Sequence, residues 1–351
     1  MHFQRHTLEQ HSVDMRQFID FRESTLANGM RVIDAHNSSG LCFTLLPDRG
    51  LDIWAAAYNG TPLTWLSAGS PHPSDYGASW LRLFNGGLLT TCGLTHAGPP
   101  ETDDLTGEQR DIHGNYTRLR ADVLAKEGAW ADDHTYHLRL TGEVHEGRLF
   151  GEQLHLRRTY TLTLGQPRIS LQDTVTNQGD QPAPLMLLYH CNVGYPLVQA
   201  GTQFVTNSDV VPRDDEARTG LETWDQYTAA QPGYKEQVFF HHVRAPEAAL
   251  LNDNIGLTFV WENLPYLTQW KNTRQGIYVS GVEPGNCIPE GQNAARRAGR
   301  LVMLQPGEAF TCALSLTVLD GAAAVQACRA RITQQRETHP LMDGYDLNDY
   351  S

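Results

Sequence analysis

The sequence predicts an all-β fold of antiparallel strands in a single domain, residues 1–351. Four segments within residues 116–176 alternate apolar and polar positions and end at glycine or asparagine, as half-buried strands do. Residues 30–54 alternate short β-rich runs with turn residues. The apolar spacing of an amphipathic helix is clear only in residues 322–334. Because large all-β domains often reach this length, we expect one domain whose first residues, to about position 25, form an extension.

The first strands are separated by a turn at residues 47–50, which brings Arg49 close to a strand end. This segment is typical of a turn held by its own aspartate and glycine, and Arg49 facing a ligand is the alternative interpretation. Residues 79–94 carry Arg82 and Asn85 shortly before a Gly-Gly pair, where close backbone approach lets polar side chains reach a ligand. The glycine motifs of nucleotide-binding loops are absent, so we expect no phosphate cradle.

A polar loop at residues 95–109 contains proline and aspartate and predicts a lid or a disordered crossover. His113 follows it and precedes a glycine. Such a histidine either binds a ligand at the rim of the sheet or makes structural hydrogen bonds, and the pattern alone favours neither interpretation.

The sequence predicts no metal centre. His137, His145 and His155 fall within the central strands and are expected on solvated faces, and the HExxH pattern is missing. The six cysteines lie far apart without CxxC spacing, which indicates reduced and mostly buried thiols.

Two strands each carry one titratable group at their predicted ends. The apolar run at residues 184–189 ends at His190, and the strand that begins at Ile277 ends at Glu283, before the turn residues Pro-Gly-Asn. We therefore predict that His190 and Glu283 meet in one pocket as a general acid and a general base.

Residues 257–272 combine aromatic and polar side chains, among them Gln269, Trp270 and Lys271. Aromatic rings stack on the C–H faces of sugars while amide and ammonium groups bond hydroxyls, so this mixture favours a carbohydrate ligand. A core segment with a polar edge is the alternative interpretation.

The charge balance excludes some partners. A net charge of −13 without any long Lys/Arg run repels nucleic acid and anionic membrane surfaces. The first residues lack the apolar core of a signal peptide, and no segment has the 18 or so apolar residues of a membrane span. A cytoplasmic location is the expectation.

Several motifs then carry a family resemblance over about residues 30 to 318: PDRGLDI, RLFNGGLLTTCGL, DIHGNY, LLYHCNVGYP, QWKN and GVEPGN. The chain resembles the aldose 1-epimerase (galactose mutarotase-like) superfamily, and more closely its uncharacterised aldose-1-epimerase-like branch. The resemblance implies one large antiparallel β-sandwich, the supersandwich, followed by the short C-terminal helix.

The resemblance also implies a cofactor-free reaction on a small-molecule sugar. His190 would donate a proton to the ring oxygen, and Glu283 would remove the proton of the anomeric hydroxyl. Arg82 or Asn85 would stand at the early binding site of the family and His113 at its first histidine, with Gln269 near its sugar-binding aspartate. For this chemistry we expect proximity to Glu283 to raise the pKa of His190, so that carboxylate and imidazolium coexist.

Three alternatives stay open. A non-catalytic sugar-binding sandwich would keep the aromatic and amide groups. A glycoside hydrolase or lyase would need a second carboxylate near Glu283, for which only Glu290 or Asp52 offers itself. A sugar-phosphate epimerase would need an arginine cluster, formed by Arg49 and Arg82.

Overall fold

The computed structural model describes residues 3–69 and 71–338, and antiparallel strands are the main secondary structure of these residues, which confirms the predicted fold class. The first strands form a five-stranded sheet in chain order. Their bounds are β1 (Asp20–Thr25), β2 (Arg31–His36), β3 (Leu41–Leu46), β4 (Asp52–Tyr58) and β5 (Thr61–Pro62). The N-terminal residues, expected to form an extension, therefore contribute β1 to this sheet.

The remaining strands follow along the chain. They are β6 (Thr90–Cys92), β7 (Glu101–Thr102), β8 (Gln109–Arg110), β9 (Ala121–Trp130), β10 (Tyr136–Gly147), β11 (Gln153–Thr163), β12 (Arg168–Asn177), β13 (Ala183–Leu185), β14 (Leu188–Val193), β15 (Gln203–Pro212), β16 (Gln237–Leu251), β17 (Ile255–Glu262), β18 (Tyr266–Arg274), β19 (Ile277–Gly285), β20 (Val302–Leu304) and β21 (Ala309–Asp320).

Most of these strands build one large sheet. Its order is β6-β14-β19-β18-β16-β17-β21-β12-β11-β10-β9, with β15 paired to β16, while β13-β20 and β7-β8 form separate two-stranded pairs. Strands distant in sequence thus become neighbours, and β14 lies between β6 and β19.

Short helices lie between and beside the strands. The α-helices are α1 (Arg5–His11), α2 (Trp80–Leu83), α3 (Asp215–Thr219), α4 (Gln292–Arg297) and α5 (Ala322–Thr338), and 3₁₀ turns occupy Met15–Gln17, Tyr116–Arg118 and Leu221–Thr223. The predicted C-terminal helix is present as α5, which buries Val325, Cys328 and Ile332 against the large sheet. No helix in residues 3–69 and 71–338 is both long and apolar enough to cross a bilayer.

The main core lies between the two larger sheets. Alternate residues of β11 point inward, and Tyr160 contacts Phe43 of the five-stranded sheet with ring centroids 6.4 Å apart. Inward apolar residues of both sheets join the same buried cluster, so the sandwich has a continuous interior. All six cysteines are free, and five of them are buried, as predicted.

A buried ionic cluster connects five strands of the two larger sheets. Arg158 is fully buried, and its guanidinium lies 2.7 Å from Asp52 and 2.7 Å from Asp173. The Thr91 hydroxyl donates to Asp52, and the Tyr189 hydroxyl donates to Asp173 at 2.6 Å. We call these five residues the Arg158 cluster. Because they come from β4, β6, β11, β12 and β14, the cluster links strands of both larger sheets.

Residues 95–109 are ordered rather than disordered. They contain the β7-β8 hairpin, and Asp103 forms ion pairs with Arg110 at 2.7 Å and with Arg296 of α4 at 3.0 Å. Backbone N–H groups at the start of α4 donate to the carboxylate of Glu101. The loop is therefore fastened to α4 by charged and capping contacts.

Candidate active site

His190 and Glu283 lie side by side on neighbouring strands. The pairs Leu188↔Gly285 and Cys191↔Val282 bracket them, so His190 stands opposite Glu283 in the β14-β19 ladder. Their side chains project from the same face, and His190 Nε2 lies 3.3 Å from Glu283 Oε1.

The strand ends differ from the prediction. His190 is in the middle of β14, and β19 continues past Glu283 through Pro284 and Gly285. Each of the two strands pairs with neighbours on both sides, which keeps the backbone extended through these positions. The two groups therefore lie on the face of the sheet instead of at its rim. The two strands hold them rigidly there.

The protonation preference of the pair is opposite to the expectation. His190 and Glu283 are both buried, with 7% and 3% of their side chains exposed. Desolvation lowers the pKa of His190 to about 4, a hydrogen bond involving Asn192 opposing the shift, and desolvation raises the pKa of Glu283 well above its ordinary value. Burial penalises each charged form more than one neighbouring charge compensates. The resting pair is therefore neutral, with the proton on Glu283.

Aromatic rings surround His190. Its ring centroid lies 5.5 Å from that of Phe84, 5.5 Å from that of Trp270 and 6.0 Å from that of His113. Phe84 and Trp270 are partly exposed, so they form the solvent side of the site, and Trp270 Nε1 donates to exposed Glu236 at 2.8 Å. The structure thus brings Trp270 and His113 to the predicted catalytic pair.

Polar atoms in this site lack partners. The Nδ1 atoms of His190 and His113 and Nε1 of Trp80 are buried without a hydrogen bond. Burial and the nearby His190 ring lower the pKa of His113 to about 3, which makes it a neutral imidazole. Unpaired buried donors and acceptors of this kind are suited to the hydroxyl groups of a ligand.

Gln269 and Lys271 do not line this site, contrary to the prediction. Successive side chains of a strand point to opposite faces, and Trp270 between them occupies the face of His190. Gln269 is fully buried on the other face, where its amide donates to Trp224 O and Tyr227 Oη. The Lys271 ammonium donates to Thr223 O at 2.7 Å, and desolvation lowers its pKa to about 8.

The arginines and Asn85 lie near the site without completing it. Arg49 is buried and donates to the carbonyl oxygens of Thr117 and Leu83, while burial lowers its pKa to about 10. Arg49 and Asn85 line a small internal cavity together with Thr90, the cross-strand partner of His190. Arg82 is exposed on α2. The predicted pair of arginines therefore does not form a phosphate-binding cluster.

Three aromatic residues of this site, Trp65, Trp80 and Phe84, were not predicted to lie in it from the sequence. Trp80 and Phe84 stack with ring centroids 4.5 Å apart, and Trp65 contacts Phe84 and Trp270 at 6.0 and 5.9 Å. The spacing of Trp80 and Phe84, four residues apart around a helical turn, places them on one side and was the available signal.

A separate polar cavity of about 380 Å³ lies beside residues 95–118. Its arginines are already paired, Arg110 with Asp103 and Arg118 with Asp111. Its lining includes neither His190 nor Glu283.

The fold defines the chain as a β-sandwich of the galactose mutarotase-like class. The chain belongs to the family described as "Domain of unknown function (DUF4432)", which matches residues 27–318. No curated protein matches the sequence.

Solved structures share this fold. A provisionally named aldose 1-epimerase from Klebsiella pneumoniae is 28% identical with a TM-score of 0.82, over 90% of this chain and 87% of that one. A galactose mutarotase-like protein from Clostridium acetobutylicum is 12% identical with a TM-score of 0.61, over 87% and 99% of the two chains. A galactose 1-epimerase from Lactobacillus acidophilus is 15% identical with a TM-score of 0.56, over 86% and 99%. At these identities the last two show the fold alone.

Proposed function

We propose that this protein interconverts the α and β anomers of a sugar by acid–base ring opening at His190 and Glu283. The observation that carries the proposal is the 3.3 Å separation of His190 Nε2 and Glu283 Oε1 on two adjacent strands beneath aromatic rings. A donor and an acceptor of protons held this close can act on the ring oxygen and the anomeric hydroxyl of one bound hemiacetal.

The neutral resting state is compatible with this cycle because it contains the same number of protons as the ionic pair. Transfer of one proton from Glu283 to His190 produces the carboxylate and imidazolium, and sugar hydroxyls in the site stabilise these charges. Glu283 then takes the proton of the C1 hydroxyl while His190 protonates the ring oxygen, and the ring C–O bond breaks. Rotation about C1–C2 and closure on the other face return the opposite anomer and the ionic pair.

The surroundings favour a neutral sugar. Phe84, Trp270 and Trp65 offer ring faces to the C–H groups of a pyranose or furanose, and His113 offers an unpaired nitrogen to a hydroxyl. A phosphorylated sugar would favour a cluster of arginines, but Arg49 is buried with Nε and Nη2 donating to backbone carbonyls, and Arg82 is exposed on α2, so the two do not form one.

A glycoside hydrolase would need a second carboxylate near Glu283, and neither Glu290 nor Asp52 supplies it. Glu290 pairs with Arg300 at 2.6 Å, and Asp52 belongs to the Arg158 cluster. Both are engaged elsewhere, so neither is available to act opposite Glu283 on a glycosidic bond.

The test is saturation-transfer NMR of anomer exchange over a panel of neutral aldoses, ketoses, sugar acids and sugar phosphates. We expect exchange with at least one neutral sugar, and a loss of roughly 10² to 10⁴ in rate for His190→Ala and for Glu283→Gln. Gln269→Asn, on the opposite face of β18, is the matched control that should retain exchange. A protein that binds a sugar but exchanges no anomers would establish the binding-protein alternative. Unchanged exchange in Glu283→Gln would rule out Glu283 as the base and overturn the proposed mechanism.

A further inference from the structure

Two histidines and a glutamate meet on the outer face of the large sheet, far along β10 and β11 from the catalytic strands in the sheet order. His145 and His155 are direct cross-strand partners, and Glu143 lies two residues before His145 on the same face. The interior residues of β10 alternate with them: Val144 is fully buried between Glu143 and His145. The three side chains are therefore presented by a rigid part of the sheet.

The distances among these residues suit a metal ion. One ligand atom from each of Glu143, His145 and His155 lies within 4.8 Å of the other two. His155 Nε2 and Glu143 Oε2 are 3.3 Å apart. Metal–ligand bonds of about 2.0 to 2.1 Å in a tetrahedral site place two ligand atoms roughly 3.3 to 3.4 Å apart, so this edge of the tetrahedron is already formed.

His155 Nε2 supplies an independent indication. The atom is buried and makes no hydrogen bond, although the Glu143 oxygen is near it. A nitrogen and an oxygen that are close but poorly aligned for a hydrogen bond can both direct lone pairs at a third atom between them. An ion in that position would satisfy a buried nitrogen that otherwise has no partner.

The neighbouring contacts leave the required atoms free. Arg157 Nη1 approaches the other oxygen of Glu143, Oε1, at 3.4 Å, which orients the carboxylate and leaves Oε2 toward His155. The rings of His145 and His155 stack with centroids 4.4 Å apart and an interplanar angle of 28°. His145 is exposed, so a water molecule has access to a fourth coordination position.

We propose that Glu143, His145 and His155 bind one divalent transition-metal ion of the zinc class, with water as the fourth ligand. Two imidazoles and one carboxylate are a ligand set that prefers Zn²⁺, Ni²⁺ or Cu²⁺ over Mg²⁺ and Ca²⁺, which favour all-oxygen sites. The bound ion would link β10 to β11. This site is independent of the anomer exchange proposed for His190 and Glu283.

The test is isothermal titration of untagged, EDTA-treated full-length protein with Zn²⁺ at pH 7.5, and with Mg²⁺ as the ion expected not to bind. We expect one Zn²⁺ per chain, with binding at least about 100-fold weaker in His145→Gln/His155→Gln. His72→Gln/His134→Gln removes two exposed histidines elsewhere and should bind Zn²⁺ as the unaltered protein does. Thermal unfolding with Zn²⁺ should show a higher Tm only in the proteins that retain the site.

A single isosteric change guards against a double variant that fails to fold. Glu143→Gln keeps the shape of a partly exposed side chain, and we expect at least about tenfold weaker Zn²⁺ binding with an unchanged circular dichroism spectrum. Absence of stoichiometric Zn²⁺ binding by the unaltered protein would overturn the proposal. Retention of one tightly bound Zn²⁺ in the folded double variant, or in the folded Glu143→Gln variant, would overturn it as well.

Discussion

Gly281 faces Trp270 across the β18-β19 ladder, and the space that a side chain at Gly281 would need is already taken. A Cβ there would lie 2.8 Å from Trp270 Cβ and 2.6 Å from Glu283 Oε1. Glycine at this position therefore lets the indole ring and the carboxyl group lie next to each other over the sheet.

The first prediction is that Gly281→Ala displaces both side chains. We expect kcat/KM for anomer exchange to fall roughly 100-fold, since small shifts of reacting groups have large effects on rate, and the free energy of unfolding to fall by about 1 to 3 kcal/mol. Exchange NMR and urea unfolding measure these effects. Gly77→Ala, where the nearest atom is an Asp75 oxygen at 3.4 Å, should change neither quantity. Full activity in Gly281→Ala would show that the crowding does not matter.

The second prediction concerns the pH dependence of stability. Burial raises the pKa of Glu283, so the folded protein keeps its proton where the unfolded chain releases it. The contribution of this carboxyl to the free energy of unfolding is fully present below the unfolded pKa of about 4.5 and is lost as the pH rises above that value. Glu283→Gln removes the loss, and the variant should therefore gain stability relative to the unaltered protein between pH 5 and pH 8.

Urea unfolding at several pH values in this range measures that difference. Glu262→Gln, an exposed carboxyl of β17, serves as the control. A difference in stability between Glu283→Gln and the unaltered protein that stays constant with pH would contradict the neutral resting state of the pair.

The third prediction separates the two faces of β18. Trp270→Ala removes a ring that flanks His190, and we expect KM for the sugar to rise roughly tenfold. Lys271→Met alters the adjacent residue, whose ammonium contacts Thr223 O on the opposite face, and KM should stay within about twofold. Steady-state kinetics of anomer exchange gives both values. A larger effect from Lys271 than from Trp270 would mean that the ligand binds on the other face.

The fourth prediction tests the Arg158 cluster. Arg158→Met leaves the buried carboxylates of Asp52 and Asp173 without their cation, and we expect a loss of about 3 to 5 kcal/mol in the free energy of unfolding. Arg157→Met, the same change at the next and exposed position of β11, should alter stability by less than about 0.5 kcal/mol in EDTA. Chemical denaturation followed by circular dichroism compares the two, and equal losses would argue against a stabilising role of the cluster.

The strands and the proximity of His190 to Glu283 were accessible from the sequence because their signals are local. Alternation along β11 and the apolar run before His190 each occupy a few neighbouring residues, and a family resemblance placed Glu283 with His190. The family resemblance and the fold class agree with the observed sandwich.

Other features depend on which residues the strands bring opposite each other. Gln269 and Lys271 were assigned to the ligand because the sequence does not reveal which face of β18 bears the site. A shift of one position along a strand moves a side chain to the opposite face. The meeting of His145 with His155 depends on the β10-β11 register. The neutral state of the His190–Glu283 pair requires that both groups be desolvated together, which no local pattern records.

The Arg158 cluster joins five strands through buried charged and polar contacts, so the strand that carries His190 is costly to move. Tyr189 extends from one side of β14 into that cluster, while the adjacent His190 extends from the other side toward Glu283. Moving β14 would disturb these buried charges, whereas exchange of the segments that carry Trp65 and Phe84 would not. New sugar preferences are thus expected to arise by replacement of peripheral loops while β14 and β19 stay unchanged.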